Sequence, residues 1–318
     1  MQYDPFSKNL KCKVFDIETT GLYAAHDMII SASFIDTDGS GLVQYFTESP
    51  SSEDFTISQI LNEIADCDCL ITFNGNSFDI PFVLNRARKY GLADKLPLTR
   101  NIDVYRLLKS YWQLAPRMES LRQKAVEQAL GIDWQRTDMI GGGECISLYN
   151  SYIRTGAAEP KELILLHNAD DVRQLAAICG KLSFLPYDRI AFETGIYLKL
   201  ISQDLISSTE YRVLTGPMKI AADKLSLNAR IAPACMPTAY YEDSFHLQSD
   251  ADGKVSLDVF AKRKGPLLFC DLRKLPVDKS LFEKLKGFEA DYLLLAENDD
   301  INYNACALLC AELLKTLG

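Results

Sequence analysis

The sequence lacks any apolar run near the roughly 18 residues that a membrane helix needs, which excludes a helical membrane protein. Its N-terminal stretch, MQYDPFSKNLKCKVF, has neither the apolar segment nor the small-residue site of a signal peptide, so a cytoplasmic location is expected. Histidine is scarce, with only His26, His167 and His246, and none of the nine cysteines forms a CxxC pair. That spacing argues against a paired zinc motif and for reduced, buried thiols. A basic excess is also missing: 34 Lys and Arg face 43 Asp and Glu, for a net charge of −9. A strongly basic coat for tight, non-specific nucleic-acid binding is thereby excluded. No internal repeat is visible, and Gly141-Gly142-Gly143 is not followed by the GK[ST] of a phosphate-binding loop, so it reads as a flexible turn.

What remains is an ordinary globular composition, 47% hydrophobic and 24% charged, over 318 residues; at roughly 150 residues per domain that is about two domains. KVFDI (13–17), MIISASFI (28–35) and LVQYFT (42–47) read as strands joined by short turns, hence antiparallel. A helix is expected over 56–66 from the spacing of Ile57, Ile60, Leu61 and Ile64. CLITFN (69–74), a helix from Pro81 to Tyr90 and NIDV (101–104) follow, so the later strands join in parallel. Helical patterns then occupy about 119–130, 145–154 and 160–182. The fold class expected is α/β: a mixed sheet of three antiparallel then parallel strands, flanked by helices. Beyond a boundary near 185–190, residues 190–215 read as helix, 219–270 as short β runs, and 266–318 as strand, helix, strand, helix. This makes a C-terminal α+β region of 188–318 behind a first domain of 1–187.

Three acidic signals carry chemistry. In FDIETTGL, Asp16 and Glu18 lie two apart on a strand and share one face. Such a pair is costly to bury without compensation, and Mg²⁺ or Mn²⁺, which favour carboxylate oxygens, would supply it; a salt-bridged pair at a strand end is the simpler reading. In FNGNSFDIPF, Asp79 precedes Pro81 at a helix start, where it could equally be an N-cap. In LLHNADDVRQLAAI, His167 and Asp171 are four apart on one helix face, with Asp170 the rival ligand and a surface charge pair the plain alternative.

Together these three segments resemble the exonuclease motifs of the DEDD superfamily, which has an RNase H-like fold. NGNSFD is similar to the second motif of B-family polymerase proofreading domains. The stretches 130–142 and 148–156 further resemble the bacterial YprB-type RNase H-like domain. The resemblance covers about residues 13–182. It implies Asp16, Glu18, Asp79 and Asp171 as ligands of two Mg²⁺ or Mn²⁺ ions, and His167 as general base. Three residues separate His167 from Asp171, the spacing of the tyrosine-type subfamily, whereas the histidine type has four. Thr19, Gly21, Leu22, Asn74, Phe78 and Arg86 are the implied substrate contacts. The activity implied is 3′–5′ exonucleolytic hydrolysis of single-stranded RNA or DNA to nucleoside 5′-monophosphates. An inactive nucleic-acid-binding scaffold and a structure-selective endonuclease on the same fold are the rivals.

Ten basic residues between Arg86 and Lys124 oppose only Asp94, Asp103 and Glu119, and Tyr90, Tyr105, Tyr111 and Trp112 are interleaved. Cations for phosphates and aromatics for bases suit a single strand, although solvated helix faces over core aromatics read the same way. Asp103 reads as the cap of the next helix. Lys262-Arg263-Lys264 reads as a solvated turn, and His26 and His246 as structural or surface residues. Residues 188–318 carry no assignable motif, and positioning substrate, binding an unknown protein partner and regulating access are all open to them.

Overall fold

The computed structural model describes residues 10–93, 98–132, 136–137, 140–203 and 208–317. Strands β1 (Cys12–Thr19), β2 (Ile29–Asp36) and β3 (Val43–Phe46) form the antiparallel part of a five-stranded sheet. Helix α1 (Glu53–Ala65) leads to β4 (Cys69–Thr72), and α2 (Asp79–Lys89) leads to β5 (Arg100–Asp103). Both later strands join in parallel, because a helix must carry the chain back before each one. The order is β3-β2-β1-β4-β5, which is the mixed sheet expected from the turn lengths.

β1 is central and buried along nearly its whole length, although Lys13, Asp16, Glu18 and Thr19 make half of its eight residues polar. One face packs on α1 through Ile57, Ile60, Leu61 and Ile64, all buried as their spacing predicts. Helices α3 (Val104–Tyr111), α4 (Gln123–Leu130), α5 (Gly142–Thr155) and α6 (Ala158–Cys179) follow. α6 packs on β1 and β2 and against α5. Its inward residues include His167, Asn168, Asp170 and Gln174 among apolar neighbours. The triple glycine is not a free turn: Gly142 and Gly143 open α5, and the Gly141 N–H donates to the Glu144 carboxylate at 2.8 Å. Part of the 130–142 stretch lies outside the described residues.

Packing separates Phe6–Leu185 from a second unit that begins at Pro186. That unit opens with α7 (Tyr187–Thr194), then β6 (Tyr197–Gln203), β7 (Ser208–Thr215), β8 (Lys219–Ala221), β9 (Lys224–Ala232), β10 (Thr238–Glu242), β11 (Phe245–Ser249) and β12 (Lys254–Phe260). These strands make one antiparallel sheet in the order β10-β11-β12-β9-β7-β6, with β8 on β9. A second sheet holds β13 (Lys262–Lys264), β14 (Leu267–Asp271), β15 (Phe288–Glu289), β16 (Tyr292–Glu297) and β17 (Asp300–Ile301), and α8 (Tyr303–Leu314) follows it.

Three expectations for this region are corrected. Residues 190–215 are not one helix. Gly195, at φ 93°, ends α7 where any Cβ would strike the Thr215 carbonyl, and the chain turns into the β6–β7 pair. Burial along β7 then follows the period of a strand, because pairing with β9 outweighs local helix propensity. DKSLFEKLKG holds only a short 3₁₀ turn, Lys279–Leu281, capped by Asp278 and anchored by the fully buried Phe282. Lys262–Lys264 is an exposed strand rather than a turn.

Candidate active site

The acids converge from three elements. Asp16 and Glu18 come from β1 and Asp171 from α6, and one oxygen of each lies within 4.8 Å of the others. Asp79 is the first residue of α2, buried to 4% exposure, and its Oδ1 accepts the Ile17 N–H at 3.2 Å. Phe78 is the N-cap, so the capping alternative for Asp79 does not hold; its carboxylate sits in the first turn and reaches back to β1. Asp170 turns elsewhere and accepts the Thr137 N–H at 2.6 Å and hydroxyl at 2.8 Å, which leaves Asp171 as the acid facing the cleft.

His167 is one helical turn before Asp171 and almost fully buried. Its Nε2 lies 3.5 Å from Glu18 Oε1 and 3.5 Å from Asp171 Oδ2. Asn168 is a positioning residue. Its Nδ2 donates to Asp16 Oδ2 at 2.8 Å, while its Oδ1 accepts from the Ser31 and Ser33 hydroxyls at 3.1 and 2.7 Å. Those serines stand opposite Glu18 and Asp16 in the β1–β2 register. Their alternation in an apolar strand is the sequence signal that points to this relay.

The electrostatics are those of crowded anions. Burial pushes the Asp16 carboxyl well above the carboxylate range; Asp79, Asp171 and Glu18 add to the rise, and the Asn168 bond opposes it. Burial likewise pushes Asp79 up to about 7, against the pull of the backbone N–H groups of Asp79 and Ile17. Among the described residues no lysine or arginine pairs with either acid. A hard divalent cation such as Mg²⁺ or Mn²⁺ fits this oxygen donor set, since it would relieve the repulsion and accepts carboxylates as ligands.

The acids line a cleft of about 700 Å³ together with Phe73, Asn74, Phe78, Arg122, Gln123, Lys124, Arg136 and His167. Asn74 adopts the left-handed region at φ 65°. The turn is held by Asp103, whose Oδ1 accepts the Asn74 N–H at 3.0 Å and whose Oδ2 accepts the Asn76 N–H at 3.1 Å. Asp103 also caps α3 by accepting the Arg106 N–H at 3.2 Å. The sequence reading missed Arg136, whose guanidinium binds Asp171 Oδ1 at 2.5 Å and both oxygens of the buried Glu127. It comes from a stretch without periodicity, so no pattern marks it. Gln123 was missed too; its Nε2 donates to the Asp171 carbonyl at 2.9 Å.

Several expected substrate contacts do other work. Arg86 is 2% exposed, with its guanidinium on both oxygens of Glu53 and on the Ala24 carbonyl at 3.0 Å. It is an internal ion pair and is not available to a phosphate. Thr19, Gly21 and Leu22 do not line the cleft. The Thr19 hydroxyl donates to the Gly21 carbonyl at 2.7 Å, and a Cβ on Gly21 would meet the Asp27 carboxylate at 2.4 Å. These residues shape the turn after β1, and Leu22 is exposed. In the basic stretch, Arg100 and Trp112 are also buried, Lys95 lies outside the described residues, and Arg122 and Lys124 are the members at the cleft. His26 is exposed, and His246 packs edge-on to Tyr241 and Phe260.

Three curated relatives are DNA polymerases. The one from Pyrococcus glycovorans is 38% identical over 105 residues, which is 30% of this chain and 13% of the relative. DNA polymerase 1 from Pyrococcus abyssi is 37% identical over 81 residues, 23% of this chain and 10% of the relative. The one from Methanocaldococcus jannaschii is 31% identical over 93 residues, 26% of this chain and 6% of the relative. The chain thus aligns with no more than 13% of the length of these relatives. Among solved structures, the family B DNA polymerase of the archaeon Pyrobaculum calidifontis is similar at 18% identity and a TM-score of 0.46, covering 57% of this chain and 25% of that one. A family profile described as the RNase_H superfamily matches residues 14–183, over half the chain, from within β1 to just past the end of α6. By that match the protein belongs to the RNase_H superfamily.

Proposed function

We propose that the chain is a metal-dependent nuclease, and specifically a 3′–5′ exonuclease on single-stranded RNA or DNA. The observation that carries this reading is the convergence of Asp16, Glu18 and Asp171 on one point, with Asp79 raised by burial beside them. The resemblance to DEDD exonuclease motifs supports the direction and the product, a nucleoside 5′-monophosphate. We place the chemistry within residues 1–187 and assign none to 188–318.

Asp16, Glu18, Asp79 and Asp171 would hold two Mg²⁺ or Mn²⁺ ions, which when bound supply an activated water and charge stabilisation of the departing 3′ oxygen. The chain's own residues do the rest. His167 Nε2, between Glu18 and Asp171, takes the proton of the attacking water. Asn168 fixes the Asp16 carboxylate, so the ligand set is oriented before metal arrives. Arg122 and Lys124, exposed on the cleft wall, offer cations to backbone phosphates, and Asn74 and Phe78 line the same space for the terminal nucleotide.

The test uses end-labelled single strands of RNA and DNA, with free and blocked 3′ ends, in Mg²⁺ or Mn²⁺. Stepwise release from free 3′ ends is expected, and it is lost in Asp16→Ala and Asp171→Ala. Turnover unchanged in both variants would overturn the reading. Cleavage of blocked ends would make the enzyme an endonuclease, and binding without turnover would make it a scaffold.

A further inference from the structure

Cys145, on α5, is fully buried, and its thiol hydrogen-bonds Glu18. Its sulfur, a Glu18 oxygen and a His167 ring nitrogen all lie within 4.8 Å of one another, and His167 Nε2 lies 3.5 Å from Glu18 Oε1. Tetrahedral zinc, with bonds of about 2.0–2.3 Å, holds such ligand atoms roughly 3.3–3.6 Å apart, so small side-chain shifts would complete the geometry. The three ligands come from β1, α5 and α6, and they are chemically unlike the oxygen cage beside them. A thiolate and an imidazole favour Zn²⁺ over Mg²⁺, whereas four carboxylates favour the harder ion. A water from the cleft would take the fourth position, with Asp171 Oδ2 3.5 Å from His167 Nε2.

We propose that Cys145, His167 and Glu18 form a zinc-selective inhibitory site. It rests on the nuclease reading only for its consequence. On binding, the thiol proton leaves to solvent as the sulfur–zinc bond forms, with no change of oxidation state. Occupancy takes Glu18 from the oxygen cage and occupies the His167 nitrogen that would accept the proton of water. Zinc therefore halts hydrolysis while Mg²⁺ is abundant, and chelating zinc restores it.

Cobalt(II) is the probe, because its bond to a thiolate gives a charge-transfer band in the near ultraviolet. The metal-free full-length chain is titrated with Co²⁺. One equivalent should develop the band, excess Zn²⁺ should abolish it, and Cys145→Ser and Cys145→Ala, shown folded by circular dichroism, should lack it. A wild type without the band, or a band that survives in both variants, would overturn the site. Zinc inhibition is then measured at saturating Mg²⁺, each protein against its own zinc-free rate. The inhibition constant should weaken by about 10-fold or more in Cys145→Ser; equal constants would overturn the inhibitory role. A wild type that forms the band and cleaves no substrate would sink the nuclease reading and leave the zinc site standing.

Discussion

The two units bury different things. Of the twenty-two polar or charged residues buried among the described positions, nineteen lie before Pro186, and the later unit contributes only Thr215, Ser249 and Glu312. Its core is hydrocarbon: Leu225, Leu227, Leu247, Leu257, Val259 and Leu293 are typical. Burying polar groups is unfavourable unless each is matched, and in the first unit Glu18, Asp79 and His167 line one cleft with Asn168, Ser31 and Ser33 bonded behind it. The difference supports placing the proposed chemistry in the first unit. A region that gives up apolar packing for a network of acids, serines and an asparagine does so where a site needs them held.

The largest effect expected is on catalysis. His167→Ala should lower activity by about 10²–10⁴-fold if it is the base, measured as single-turnover cleavage at saturating metal; a near-wild-type rate would remove it from that role. Next is a stability contrast between the units. Arg86→Ala leaves Glu53 buried without its partner and should cost about 3–5 kcal/mol, while Leu257→Ala should cost about 2–5 kcal/mol through a cavity. Denaturant unfolding checks both, and the comparison breaks if Arg86→Ala is neutral. Asn168→Ala should weaken metal binding by about 10–100-fold, read by calorimetry, with little change in Leu257→Ala.

A further effect is on pH. A carboxyl raised in the fold is protonated there while the unfolded chain is already ionised, so its contribution to stability is present below the unfolded value and is lost as pH rises through the folded one. For Asp79 that window runs from 3.8 to about 7. Metal-free wild type should therefore lose stability relative to Asp79→Asn across this range, and saturating Mg²⁺ should reverse the loss. A difference that does not change with pH would mean that the acid is not raised.

Much of the first unit was legible because its signals are local. Short turns fix antiparallel neighbours, helical crossovers fix parallel ones, and two acids two apart on a strand must share a face. The ligand candidates were legible for the same reason. Arg86 misled because burial is not local: the same basic residue after the second motif serves Glu53, thirty-three positions away. Cys145 had no sequence signature, since its companions come from β1 and α6 rather than from a spaced pair. The β6–β7 hairpin was hidden for a further reason. Its apolar residues sit at spacings a helix also allows, and only pairing with distant β9 selects the strand.

Asp103 acts like a rivet. A single carboxylate fastens the loop after β4 at two N–H groups and the start of α3 at a third, so Asn74 and Tyr105 are carried on one fastening although they lie on separate segments. The Asn74 edge of the cleft is therefore tied to α3 behind it, and whatever displaces the loop pulls on the helix as well.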